Sequence, residues 1–239
     1  DTGPGFRSGF NTGEAVVAPY LRHQGIGAID LLMISHADQD HAGGMDGLLD
    51  LVRARRILSG EPEALAHARA EPCRRGQQWR WDGVDFAVLH PADASESGND
   101  SSCVLRVSVA DTGLLWTGDV EAGVEQALVQ LERDGLQAEV LVAGHHGSAS
   151  STTRPFLEAV SPQLVLFSMG WKNRFGFPAQ AVRERVLALE AASLDTASAG
   201  AVELQIRADG QLRSVRVFRE LADRLWRHRP SPAIPVETD

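Results

Sequence analysis

The run Leu31-Leu32-Met33-Ile34-Ser35 passes directly into His36-Ala37-Asp38-Gln39-Asp40-His41-Ala42-Gly43-Gly44. A continuous apolar segment of this length reads as a buried strand. Four side chains able to bind a metal, His36, Asp38, Asp40 and His41, then fall within six positions. Gly43-Gly44 opens a helix that runs to about Val52, with Met45, Leu48, Leu49 and Val52 on one face. A loop between a buried strand and a helix can turn all four side chains toward one point. Imidazoles mixed with carboxylates suit Zn, Mn or Fe, and a carboxylate-rich set leans toward Mn or Mg. The plainer alternative, a capped polar loop carrying surface charges, explains less well why ligand types match at such density.

Further ligand candidates stand at other strand ends. Asp119 follows the predicted strand Leu114–Thr117 after Gly118, where it could bind metal or cap the next helix. His145 and His146 follow the predicted strand Val140–Ala143 between Gly144 and Gly147, and either could be a ligand. Asp1 could orient a ligand from behind. Metal ions on both sides of a displacement at phosphorus or carbon remove the need for a protein nucleophile. Consistently, neither Ser148 nor Ser151 lies in the Gly-x-Ser-x-Gly turn of a serine hydrolase. Ser148 reads instead as a substrate or backbone contact.

The rest of the chain alternates strands and helices, a pattern of layered sheets covered by helices. Helices are expected over Glu14–Gln24, residues 121–134, Thr153–Val160 and Ala179–Ala192. Strands are expected at Arg56–Ser59, Val84–Leu89 and Leu164–Ser168. Hairpins are expected across Asp111-Thr112-Gly113 and Asp209-Gly210. The 239 residues suit one domain over 1–225, followed by a flexible Arg- and Pro-rich tail over 226–239. The opening Asp1-Thr2-Gly3-Pro4-Gly5 has no strand before it and no initiator Met, which reads as a fragment lacking its N-terminal strands. Cys73 and Cys103 could pair, but two buried thiols is the favoured reading. A net charge of −9 argues against a broad basic DNA-binding face. Trp171-Lys172-Asn173-Arg174-Phe175 joins cations to aromatics, a mix that can stack bases and hold phosphates or simply anchor a loop.

His36-x-Asp38-x-Asp40-His41, with the distant Asp119 and His145-His146, resembles the metallo-β-lactamase superfamily, except that Asp38 stands where its pattern has a second His. That replacement is similar to one branch, the C-terminal domain of the competence DNA-uptake channel ComEC. The likeness also takes in Asp1-Thr2-Gly3, Asn99-Asp100-Ser101-Ser102, Thr117-Gly118-Asp119, His145-His146-Gly147-Ser148 and Asn173-Arg174-Phe175-Gly176-Phe177-Pro178. The Asn99–Ser102 loop stands where many superfamily members have another metal-binding His. Phe177 stands where this branch often has His.

The resemblance implies an α/β (α+β) fold: an αββα sandwich of two packed mixed sheets flanked by helices. It implies metal ligation by His36, Asp38, Asp40, His41, Asp119 and one of His145 and His146, with Asp40 and His146 also serving catalysis. Mn in a two-metal site is expected, with Zn as the other option. Asn99, Ser102, Ser148, Lys172, Asn173 and Arg174 are expected to meet substrate. The implied activity is a deoxyribonuclease that degrades the strand not imported. Its partners would be DNA, the rest of a membrane channel in the same polypeptide, and other competence proteins. The implied location is a bacterial inner membrane, with this domain on the periplasmic side. Two other classes remain: a different hydrolase of the same fold (esterase, thioesterase or lactamase), and a DNA- or partner-binding module with little turnover.

Overall fold

The computed structural model describes residues 1–65, 67, 69–92, 96–132 and 135–221, so the tail expected over 226–239 lies outside the described residues. The chain forms two compact units, one of residues 1–77 with 88–104 and one of residues 78–87 with 105 onward.

The first unit is built on three parallel strands in the order β1 (Ala28–Ile34), β2 (Arg53–Ser59) and β3 (Ala70–Pro72). Parallel pairing of β1 with β2 carries both strands toward one sheet edge, where Ile34 lies opposite Ser59. His36 and Glu61 therefore leave the sheet at the same end. A helical segment precedes β1: a π-type turn over Gly13–Val17 runs into α1 (Ala18–His23), with Pro19 in its first turn. The chain is already helical over Gly13–Val17, so Pro19 removes a ladder hydrogen bond where the π-type turn gives way to α1. Ala18, Leu32, Ile34, Met45, Leu48, Val52, Ala54 and Ile57 form the unit's core.

The helix expected from Gly43-Gly44 to about Val52 is shorter, ending at Leu49. Two short helices, α2 (Gln39–Ala42) and α3 (Met45–Leu49), are separated by the glycine pair. Gly44 is pressed against the N-terminal segment, with its N–H donating to Gly3 O at 2.9 Å. A side chain at Gly13 would run into the Gly44 carbonyl. Gly44 stands as the N-cap of α3, and both glycines also permit close backbone approach.

The second unit holds most of a seven-stranded mixed sheet, ordered β10-β9-β8-β7-β6-β5-β4. Its strands are β4 (Gln78–Trp81), β5 (Val84–His90), β6 (Val104–Val109), β7 (Thr112–Trp116), β8 (Val140–Val142), β9 (Leu164–Phe167) and β10 (Ala192–Asp195). β4/β5 and β6/β7 are antiparallel hairpins, whereas β7, β8, β9 and β10 run parallel. The parallel strands are short apolar runs, as strands covered on both faces tend to be. Leu115, Leu141 and Val165 lie in register across them and are fully buried. The neighbouring row, Leu114, Val140 and Leu164, packs against Leu204, Ile206 and Val215 of the hairpin β11 (Val202–Ile206) and β12 (Leu212–Val217).

Two boundaries differ from expectation. The β6/β7 hairpin turns at Ala110-Asp111, one step earlier than expected, and Thr112 and Gly113 already pair in β7. The helix expected over Ala179–Ala192 ends sooner: α6 spans Gln180–Ala188, and Ala192 begins β10. Glu190, at φ 56°, turns the chain between them. Before these come α4 (Ala122–Glu132) and α5 (Arg154–Val160), and after β10 comes α7 (Thr196–Ala199). Among the described residues no helix is long and apolar enough to cross a membrane. Both cysteines are buried and free, and burial holds the Cys103 thiol well above its ordinary pKa.

Candidate metal centre

In the first unit the chain leaves β1 at Ser35 and places His36 and His41 side by side. Their rings lie 4.2 Å apart, and both are buried. The Asp1 main-chain nitrogen donates to Met33 O, which sets the Asp1 carboxylate at the end of β1. There it accepts from Ser35 N at 2.7 Å and from the Ser35 hydroxyl at 3.1 Å. It also accepts from His41 Nδ1 at 3.0 Å.

One of these contacts fixes the proton of His41. A carboxylate only accepts, so His41 carries its proton on Nδ1 and its lone pair on Nε2. Ser35 Oγ also stands 3.1 Å from His36 Nδ1 and 3.0 Å from His41 Nδ1, so it links both rings to Asp1. The Ser102 hydroxyl stands 3.3 Å from His36 Nδ1. A carboxylate behind an imidazole is the arrangement that orients a metal-binding histidine and raises its basicity.

Asp38 and Asp40 are exposed beside this buried pair. Asp38 Oδ2 lies 3.6 Å from His36 Nε2, and ligand atoms of Asp40 and His41 come within 4.8 Å of each other. Two imidazoles with two nearby carboxylates fit a divalent transition metal. Glu61 shapes the loop from beneath, accepting from Ala37 N at 3.0 Å and Gly98 N at 2.9 Å. Burial opposes its ionisation. The N–H groups of Gly98 and Ala37, the Ser101 hydroxyl and His36 outweigh that and hold its carboxyl below the usual range. His90 is buried and used structurally, its Nε2 2.7 Å from Asp100 O.

In the second unit, parallel β7 and β8 end together. Thr117 Oγ1 donates to Val142 O at 2.9 Å, and His145 N donates to Gly118 O at 3.1 Å. These bonds bring Asp119 to His145 and His146. Asp119 Oδ2 lies 3.5 Å from His146 Nε2 and 3.9 Å from His145 Nε2. Asp119 does not cap α4, which begins only at Ala122.

His146 Nδ1 donates to Ser168 O at 2.7 Å, which again puts the lone pair on Nε2. His145 Nδ1 faces Glu121 Oε1 at 3.2 Å, so its chemistry allows the same. Both histidines are in the left-handed region, at φ 47° and 55°. Histidine adopts that conformation more readily than most non-glycine residues. Gly147 follows at φ 87°, and a methyl there would come within 2.8 Å of the Phe167 ring.

The expected substrate contacts have defined neighbours. Ser102 reaches His36, as above. Ser148 lies 3.0 Å from Ser150, which donates to Glu121 at 3.1 Å, so Ser148 joins the network behind His145. Asn99 lies in the 3-10 turn Gly98–Ser101, where its carbonyl accepts from Ser102 N. Asn173 clamps its loop, accepting from Phe177 N at 2.8 Å and donating to Phe177 O at 2.9 Å. Lys172 Nζ sits 4.4 Å over the Trp171 ring, and the Arg174 guanidinium 4.7 Å over Phe175. Phe175 stacks on Phe177, whose ring lies 5.9 Å from His145 and 6.4 Å from His146.

Sequence reasoning did not single out Ser35, Glu61, Glu121 or Ser168 as supports for these ligands. Only Ser35, adjacent to His36, carried a local signal. The other three act across strand ends, where one sequence shows no pairing.

A family model described as the metallo-beta-lactamase superfamily matches residues 1–171. The chain is 37% identical over 217 residues to "Competence protein ComA" of Neisseria gonorrhoeae, covering 88% of this chain and 31% of that protein. It is 34% identical over 187 residues to "ComE operon protein 3" of Bacillus subtilis, covering 72% of this chain and 24% of that protein. The chain thus spans less than a third of the length of either relative. Among solved structures, a metal-dependent hydrolase of the beta-lactamase superfamily, Tm1679, matches with TM-score 0.50 and 13% identity. That match covers 83% of this chain and 84% of the other, a likeness of fold.

Proposed function

Because the chain belongs to the metallo-beta-lactamase superfamily and forms a hydrolase domain of that fold, we propose that it is a metal-dependent phosphodiesterase acting on DNA. In this reading it works within a competence uptake system and degrades the strand that is not transported. The proposed ligands are His36, Asp38, Asp40, His41, Asp119 and His145 or His146, with Mn the expected metal and Zn the alternative. The single domain over 1–225 and a place on the periplasmic side of the inner membrane, joined to a membrane channel, belong to the same proposal. The relatives named for competence support the setting.

The observation that carries the chemistry is the set of imidazoles whose Nδ1 protons are held by fixed partners. Asp1 holds His41, and the Ser168 carbonyl holds His146. Both present Nε2 as the donor. Divalent metal bound there would supply Lewis acidity to an attacking water and to the leaving oxygen. The chain's own groups then have defined tasks. Asp1 and Ser168 keep the imidazoles in one tautomer. Asp40 is proposed to take the proton of the attacking water through its carboxylate, and His146, where His145 is the ligand instead, to pass a proton through Nε2 to the leaving group. Lys172 and Arg174 are proposed to meet phosphate once they leave their aromatic partners, with Asn173 keeping the loop in shape.

The test incubates the chain with labelled single- and double-stranded DNA under Mn, Mg, Zn or EDTA, beside an Asp40→Ala/His41→Ala double variant. Cleavage should require metal and vanish in the double variant. Bound metal without DNA cleavage, but with hydrolysis of a chromogenic thioester or lactam, would assign the fold to another hydrolase activity.

A further inference from the structure

A cavity of about 720 Å³ lies in the first unit, beside the helical turn that carries Asp40 and His41. One wall is a small hairpin closed by pairing of Gly5 with Asn11 and by a 2.8 Å bond from Phe6 N to Phe10 O. The other wall is the α2–α3 turn, through Gln39, Gly43 and Asp46. Phe6 and Phe10 also line the cavity, yet they are 55% and 52% exposed, with ring centroids 5.7 Å apart and tilted by 44°. Arg7 stands between them in sequence and borders the same space. Neither the proposed ligands nor the core uses this aromatic pair.

We propose that this cavity is a subsite for an unpaired nucleobase of a DNA strand, next to the metal-binding turn. The proposal rests on the DNA phosphodiesterase reading and names how that substrate is gripped. Each feature has a use for such a strand. Exposed aromatic faces stack bases of any sequence. Arg7 offers a cation to the flanking phosphate, and the Asp46 carboxylate can accept from the exocyclic amino group of a base. The volume is within the range of small-ligand sites. A paired base keeps its faces within the duplex stack, so the subsite selects single-stranded DNA. Thymine, lacking an exocyclic amino group, should bind less well than cytosine.

Binding separates this proposal from catalysis. Fluorescence anisotropy in EDTA would compare a short labelled oligodeoxycytidylate, an abasic strand of equal charge and a duplex. The wild-type chain should prefer the oligodeoxycytidylate. Phe6→Ala and Phe10→Ala should each weaken it by about tenfold, without changing abasic binding, while Phe10→Trp retains it. Both phenylalanines are more than half exposed, so folding, checked by circular dichroism, should survive. Equal affinity for abasic and base-bearing strands, equal affinity of the variants and wild type, or no oligonucleotide binding by the wild type would each overturn the subsite. Base-dependent binding in a chain that never cleaves DNA under any metal would overturn the phosphodiesterase reading while leaving the subsite in place. Metal-dependent cleavage with unchanged binding and KM in the variants would do the reverse.

Discussion

At the scale of residues, the support behind a ligand decides what the ligand can do. His41 is one rotation from presenting either nitrogen outward, and Asp1 removes that choice by holding Nδ1 at 3.0 Å. Ser35 ties His36 into the same network, its hydroxyl standing 3.1 Å from both the Asp1 carboxylate and His36 Nδ1. Asp1→Asn keeps the size of the side chain but offers an amide that can point a donor at Nδ1. Loss of such a partner typically costs about 10–100-fold in metal affinity. Chelator competition should therefore show Asp1→Asn weakened by about that factor, with its melting temperature changed little. Unchanged metal affinity would mean that the ring orientation is set by packing alone.

At the scale of elements, α4 and the start of α5 are joined by one buried carboxylate. Glu125 accepts from Thr152 N at 2.5 Å and from Thr153 N at 2.8 Å, so it satisfies backbone donors just ahead of α5. Burial raises its pKa, and the Thr153 and Thr152 bonds with the nearby Arg185 offset only part of that rise. A folded-state pKa above the unfolded value means that the folded chain binds this proton more tightly. The stability it contributes is therefore full below the unfolded value of 4.5 and is lost as pH rises through the folded value. Glu125→Gln lacks that titration. The melting-temperature advantage of wild type over the variant should be largest near the acidic end and shrink toward neutrality. A difference that grows with pH would reverse the assignment. Glu125 also marks the limit of what sequence made visible. Helices at residues 121–134 and 153–160 were readable from spacing, and so was Asp119 as a candidate ligand. Their junction through Glu125 was not, because it depends on a loop folding back. The candidate cluster at His36, Asp38, Asp40 and His41 was legible because these residues crowd into one turn. Ser168 and Glu61 were not, because parallel strands bring together ends far apart in sequence. β10 was hidden for a different reason: Ala191-Ala192 continue the helix-forming composition of α6, and only the turn at Glu190 redirects the chain into the sheet.

At the scale of the whole molecule, charge constrains how DNA can be held. The chain carries 23 Lys and Arg against 32 Asp and Glu, a net charge of −9. Its late arginines do not make a simple phosphate track. Arg216 pairs with Glu203 at 3.5 Å, and the Arg219 guanidinium donates to Ala197 O. A protein that neutralises 6–10 phosphates loses roughly 10³–10⁵ in affinity between 50 and 200 mM salt. Here stacking and metal are proposed to carry most of the grip, with Arg7, Lys172 and Arg174 as the cations nearest to substrate. Each phosphate on a single strand adds only about 0.7 to the slope of log affinity against log salt. In EDTA, affinity for a single strand should therefore fall by less than about tenfold to a hundredfold over that salt range, while added Mn should strengthen binding at every salt concentration. A titration as steep as that of a basic DNA-binding protein would place the main contact on a cationic surface elsewhere. A shallow slope that persists in Phe10→Ala, with binding weakened throughout, would tie the non-ionic share of the affinity to the aromatic hairpin.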